Sequence, residues 1–178
     1  MRFCKIIVLC TAFSWSPAWA RAQWEAEADP TAYGLKGFSA HVGHPIVDGR
    51  SRLQFGAFAA ETPEWIHGNS GFTEDSRGIT LKFDYFPLRP SGGLFFGADS
   101  NYARVCYKLN QTHERTHRNM VGLGPRVGYR FNFGKHLYVS PWVSVDYQFN
   151  AKNVTISGKT FHEVRYGVFP AAHLGWRF

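Results

Sequence analysis

Apolar and polar residues alternate along most of this chain with a period of two, the pattern of strands that show one face to each of two environments. The run 164–178 carries it longest. Its even positions are Val164, Tyr166, Val168, Pro170, Ala172, Leu174, Trp176 and Phe178; its odd ones are Arg165, Gly167, Phe169, Ala171, His173, Gly175 and Arg177. One face is wholly apolar, the other mostly small or charged. In a soluble protein such a strand, left as an open sheet edge, would invite aggregation.

The same alternation recurs upstream. In 121–133, Val121, Leu123, Val127, Tyr129, Phe131 and Phe133 oppose Gly122, Gly124, Arg126, Gly128, Arg130 and Asn132, and in 137–149, Val139, Val143, Val145 and Tyr147 oppose Ser140, Ser144, Asp146 and Gln148. In 79–87, Ile79, Leu81, Phe83 and Tyr85 oppose Thr80, Lys82 and Asp84. The alternation of 94–107 is weaker, which predicts a bulge, and 51–60 and 35–44 complete a set of seven strands. A closed up-and-down barrel with both ends on one side needs an even number. The eighth is either the short stretch 24–28, extended past Pro30 toward Tyr33, or a strand whose pattern is too weak to read. The connections alternate between short (the Asp48-Gly49 turn, 89–93 and 134–136) and long (61–77, 108–118 and 150–162), as in barrels with tight turns on one side of a membrane and loops on the other. No segment with a helical period competes.

Composition narrows the class. The chain has 178 residues, 44% of them hydrophobic, and a mean hydropathy of −0.27. It holds no run of the roughly 20 apolar residues that a helical span requires. The nearest approach is the N-terminus, where Arg2 and Lys5 precede an apolar run from Ile6 to Phe13 and small residues follow, the layout of a secretory signal peptide. Cleavage after Ala22 divides the chain into a signal at 1–22 and a mature domain at 23–178. Cys4 and Cys10 leave with the signal, so only Cys106 remains and no internal disulfide can form. Arg2, Lys5 and Arg21 leave too, reducing the basic residues from 20 to 17 against 13 acidic ones. That modest excess, with no basic cluster interleaved with aromatics, argues against nucleic acid.

Phe178, with Trp176 and Leu174 at alternate positions upstream, resembles the C-terminal assembly signal of bacterial outer-membrane β-barrel proteins. The resemblance implies an all-β, antiparallel, up-and-down transmembrane barrel of eight strands, delivered to the outer membrane by the barrel-assembly machinery acting on that strand. It implies contact with outer-membrane lipid and lipopolysaccharide, no cofactor, and a structural or surface-interaction role. A soluble lipocalin-like barrel would instead turn the apolar face inward around a ligand. Against that stand the glycines beside Arg126 and Arg130 on the polar face, which suit a narrow packed interior, and aromatics near strand ends (Tyr85, Phe86, Phe95, Phe96, Phe131, Phe133, Tyr147, Phe149), where interfacial girdles sit. Some barrels of this kind are lipid A acyltransferases or deacylases. The deacylases' His-x-Ser element is missing here, since Ser39-Ala40-His41 has the reverse order.

Two constellations carry candidate chemistry. The first is the expected lumen: Lys82, Asp84, Arg126, Arg130, Asp146, His173 and Arg177, with His41 and Asp99 as further members. Charges of both signs in a low-dielectric interior must pair, so this set predicts a closed, salt-bridged plug. The second is His113-Glu114-Arg115-Thr116-His117, a formal match to the H-E-x-x-H zinc motif, which works by placing two imidazoles on one helical face. Its flanks are polar, no third ligand follows and no helix is expected there. His113 and His117 are therefore weak metal candidates, and the segment reads as a solvated loop.

Overall fold

The computed structural model describes residues 23–47 and 49–178; the expected signal segment 1–22 lies outside the described residues, as does Asp48 of the expected turn. Ten strands form in chain order, β1 Glu25–Ala28, β2 Phe38–Ile46, β3 Ser51–Thr62, β4 Phe72–Tyr85, β5 Gly93–Leu109, β6 Arg115–Phe133, β7 Leu137–Gln148, β8 Val154–Ile156, β9 Lys159–Phe161 and β10 Tyr166–Arg177, with two short helices, α1 Pro30–Gly34 and α2 Glu64–His67. Eight of the strands close into an antiparallel barrel in the order β1-β10-β7-β6-β5-β4-β3-β2, and β8 and β9 pair apart from it. The C-terminal strand closes the cylinder against β1, with Glu25 opposite Arg177 and Ala28 opposite Leu174.

The period-two alternation sets the facing of every long strand. Outward positions are apolar and exposed, among them Phe55 on β3, Leu81 and Phe83 on β4, Leu123 and Phe131 on β6, Val145 on β7, and Leu174 and Trp176 on β10. Inward positions hold buried charged and polar groups, including Arg52, Asp84, Arg126, Arg130 and His173. The eighth strand is the short N-terminal stretch, but it does not run past Pro30. Asp29 instead caps α1, its carboxylate accepting from the Thr31 N–H at 2.9 Å and the Thr31 hydroxyl at 2.6 Å, and Pro30 occupies the first turn, where its missing N–H costs nothing.

Other boundaries also shift. β4 begins at Phe72 and β6 at Arg115, so two of the expected loops shrink to 63–71 and 110–114. The expected loop 150–162 contains the β8–β9 hairpin, turned at Ser157 and Gly158, both with positive φ (48° and 78°). Two consecutive left-handed residues make the primed turn that matches strand twist. The bulge expected in β5 is absent; its register with β4 and β6 runs unbroken, and alternate side chains point inward throughout. Phe86 and Phe95, expected in a girdle, are fully buried inside the barrel.

Candidate functional site

The interior has two storeys. The lower one, at the end shared by the termini and short turns, is packed with ion pairs. Glu25 accepts from Arg130 through both oxygens (2.8 and 3.0 Å), from Arg177 Nε at 3.1 Å and from Tyr138 Oη at 3.2 Å. Glu27 accepts from Gln54 Nε2 at 2.6 Å and also binds Arg52. Asp84 takes Arg52 Nε at 3.1 Å and lies 3.3 Å from Arg126 Nε. Aromatic rings fill the space between the charges: Arg130 lies 4.0 Å over Tyr138 and Arg126 lies 4.2 Å over Trp142, contacts that stabilise a desolvated cation. Planar guanidinium groups suit this role because each can bind two carboxylates in fixed geometry.

Small residues on facing strands make room for these side chains. A Cβ built on Gly56 would lie 2.0 Å from the His41 ring, and one on Gly175 would lie 2.1 Å from the Tyr138 ring. The glycines scattered along the inward face are thus the counterpart of its large polar side chains.

Above this plug stands a cluster centred on Lys82. His173 Nδ1 donates to Glu27 Oε2 at 2.6 Å, which turns Nε2 toward Lys82. Lys82 Nζ lies 3.1 Å from His41 Nε2 and 3.5 Å from His173 Nε2, and the two imidazoles stack with centroids 4.7 Å apart. An ammonium donates, so both Nε2 atoms act as acceptors, a tautomer assignment fixed by the network. Asp99 lies 3.8 Å from Lys82 and accepts from the Thr80 hydroxyl at 2.7 Å. Ligand atoms of Glu27, His41 and His173 lie within 4.8 Å of one another. Lys82 already stands against both imidazoles, so a metal ion there would meet an ammonium in contact with two of its three ligands. The chemistry of this donor set favours a lysine-centred hydrogen-bond network over a metal centre.

The upper storey is a cavity of about 460 Å³ whose lining runs from His41, Lys82, Trp142, Asp146 and His173 up to Ala32, Phe58, Met120, Phe161 and Phe169. A small apolar core roofs it. The β8–β9 hairpin lays Phe161 against Phe72 and Tyr107, at centroid distances of 5.6 and 4.8 Å, with Val154, Ile156 and Leu109 buried beside them. Side-chain bonds fix the hairpin: Asn69 Oδ1 accepts from the His162 N–H at 2.6 Å, and the Tyr107 hydroxyl donates to Glu163. Burial raises the Glu163 carboxyl above the usual carboxylate range, partly offset by that hydrogen bond and by Arg118.

Lys82, Asp84, Arg126, Arg130, Asp146 and His173 are buried, as are His41 and Asp99, and Arg177 pairs with the buried Glu25. Those missed are Glu25, Glu27, Arg52 and Gln54 below, and Tyr138 and Trp142 among the rings. The two glutamates had a signal, the alternation Glu25-Ala26-Glu27-Ala28, in which both acids share one face. His113 and His117 do not share a helical face: His113 sits in a turn with φ 60°, and His117 lies within β6 opposite Cys106. Glu114 between them accepts from Ser157 at 2.8 Å.

No family model matches the chain, and no curated protein matches it. Among solved structures it is similar to the N-terminal β-barrel domain of Pseudomonas aeruginosa OprF, with TM-score 0.48 and 11% identity over 88% of this chain and 98% of that one. It is also similar to a major outer membrane protein from Thermus thermophilus, with TM-score 0.48 and 15% identity over 88% of this chain and 99% of that one.

Proposed function

We propose that this chain is an integral protein of the bacterial outer membrane, crossing the bilayer as its eight-stranded barrel, with a structural or surface-interaction role. The observation that carries this reading is the inversion of the barrel: large apolar side chains are exposed around its outside, while arginines and carboxylates are buried within. In water such a surface would aggregate; in hydrocarbon it is the stable arrangement, and closure leaves the transmembrane sheet few open edges. The packed lower storey supports a barrel that does not conduct.

A pair of arginines supports contact with anionic head groups. Arg77 and Arg104 are directly opposite on β4 and β5, both exposed, next to the apolar belt residues Ile79 and Tyr102. Like charges so placed repel, and a lipid phosphate between them would relieve the repulsion. The test is refolding into vesicles with and without lipopolysaccharide. Insertion resistant to carbonate extraction is expected, with lipopolysaccharide binding weakened by the Arg77→Ala and Arg104→Ala double variant. A monomer that stays soluble without detergent or lipid overturns the membrane assignment, and unchanged lipopolysaccharide binding overturns the head-group contact.

A further inference from the structure

The barrel wall has a gap, and the cavity lies behind it. β1 ends at Ala28, paired with Leu174 on one side and Ala40 on the other, whereas β10 continues up to Tyr166 with β7 as its sole strand partner among the described residues. The Phe178 N–H donates to Trp24 O at 3.0 Å, while Arg177 donates to His136 O at 2.8 Å on the opposite side. By strand alternation the even-numbered backbone groups of β10 point toward β1 and, above it, into the gap. Pro170 is one of these. Its position removes an N–H that would otherwise face an unpaired edge, the place where proline is tolerated in a sheet. Helix α1 bridges the gap in place of a strand.

We propose that the cavity receives a hydrocarbon chain of an outer-leaflet lipid, which enters sideways through this cleft between β10 and α1. The proposal rests on the membrane reading above and adds a ligand and a route to it. The ion-paired plug fills the barrel below, Phe161 of the β8–β9 hairpin lines the cavity from the other end, and Phe38, Tyr166 and Val168 line it at the wall. The lips of the cleft, Tyr166 and Val168 on β10 and Phe38 on β2, are exposed and continuous with the apolar belt, so a chain leaving the bilayer never crosses water. Ala32, Leu35 and Phe169 line the cavity on this side, together with Asp29 and Thr31 at the start of α1. The cavity's 460 Å³ falls within the ~300–1,000 Å³ typical of ligand sites. A Cβ added at Gly167 in the wall would meet nothing within 4 Å. At the polar floor Lys82 donates to two imidazoles and Asp99 accepts from Thr80, while His41 Nδ1, Trp142 Nε1 and Asp146 Oδ1 have no protein partner among the described residues.

Trp142, buried at the cavity floor, reports on occupancy. In the full chain, Trp15→Phe, Trp19→Phe, Trp24→Phe, Trp65→Phe and Trp176→Phe leave it as the single emitter, and the protein is refolded into phosphatidylcholine vesicles with or without bromine on the acyl chains. Bromine quenches at near contact. The expected result is loss of Trp142 emission in bromolipid, restored by Gly167→Phe, or by Gly167→Leu should the larger ring impair folding. Emission unchanged by bromolipid overturns the proposal, and so does quenching of equal depth in the cavity-filled variant, which would act through the wall. A chain keeping only Trp176, on the outer face, separates the two readings. If Trp176 is quenched and Trp142 is not, the membrane assignment stands and the lateral site falls; if neither is quenched, both fall.

Discussion

The lower and upper halves of the same lumen solve opposite problems with the same eight strands. Below, glycines make room for large side chains, so that a Cβ on Gly175 would strike the Tyr138 ring; above, a Cβ on Gly167 would enter empty space. Below, three carboxylates are bound by four arginines; above, apolar and polar groups in similar number line a void. A narrow barrel is therefore filled only where its inward residues are long enough to reach one another, and the period-two pattern does not record where that stops.

The contrast can be broken most forcefully at its charged end. Glu25→Ala leaves Arg130 and Arg177 buried without their shared carboxylate and is expected to cost about 3–5 kcal/mol, seen as a lower urea midpoint for unfolding from vesicles. Phe161→Ala attacks the roof. It opens the apolar core above the cavity at a cost of roughly 3–5 kcal/mol at most, with hydrogen exchange expected to accelerate in β8 and β9 and not in β2 or β3.

A matched pair of glycine substitutions sharpens the comparison. Gly175→Ala is expected to destabilise by about 1–3 kcal/mol through overpacking, and Gly167→Ala to stay within about ±0.5 kcal/mol. Equal effects at the two sites would mean that the storeys do not differ in packing. A smaller effect is expected from pH. Because burial holds the Glu163 carboxyl above its unfolded value, its protonated form favours the fold. The contribution is complete below the unfolded pKa and disappears as pH rises through the folded one. Proteolysis within the β8–β9 hairpin should thus quicken from acid toward neutral pH, and Glu163→Gln should flatten that dependence. Least of all is expected from zinc: calorimetric titration of the refolded protein should show no heat attributable to His113 and His117, which lie in a turn and a strand.

Strand facing was legible in the sequence because a closed barrel imposes the same inside-outside rule at every position of every strand. Arg126, Arg130, Asp146 and His173 could be assigned to the interior with no knowledge of which charges they meet. Pairing was not legible, since the partners lie far apart in the chain; Arg177 and Glu25 are 152 residues apart. The β8–β9 hairpin went unread within the expected loop 150–162, because its strands have three residues each, too few for alternation to stand out. Phe86 and Phe95 were misplaced because aromatic residues serve both girdles and cores. Their inward facing follows from parity, Phe86 with Asp84 and Phe95 with Gly97, a stronger signal than residue type. The cavity had no signal of its own, because it depends on where β1 stops.

The seam at β1 also bears on how the cylinder is made. Four residues of backbone ladder give little adhesion between the first and last strands, so the joint depends on two carboxylates finding cations presented by β3, β6 and β10. Those cations are in place only once the rest of the sheet has curled. A sheet with a misregistered strand would offer the N-terminal acids no matching socket and leave their charges unpaired.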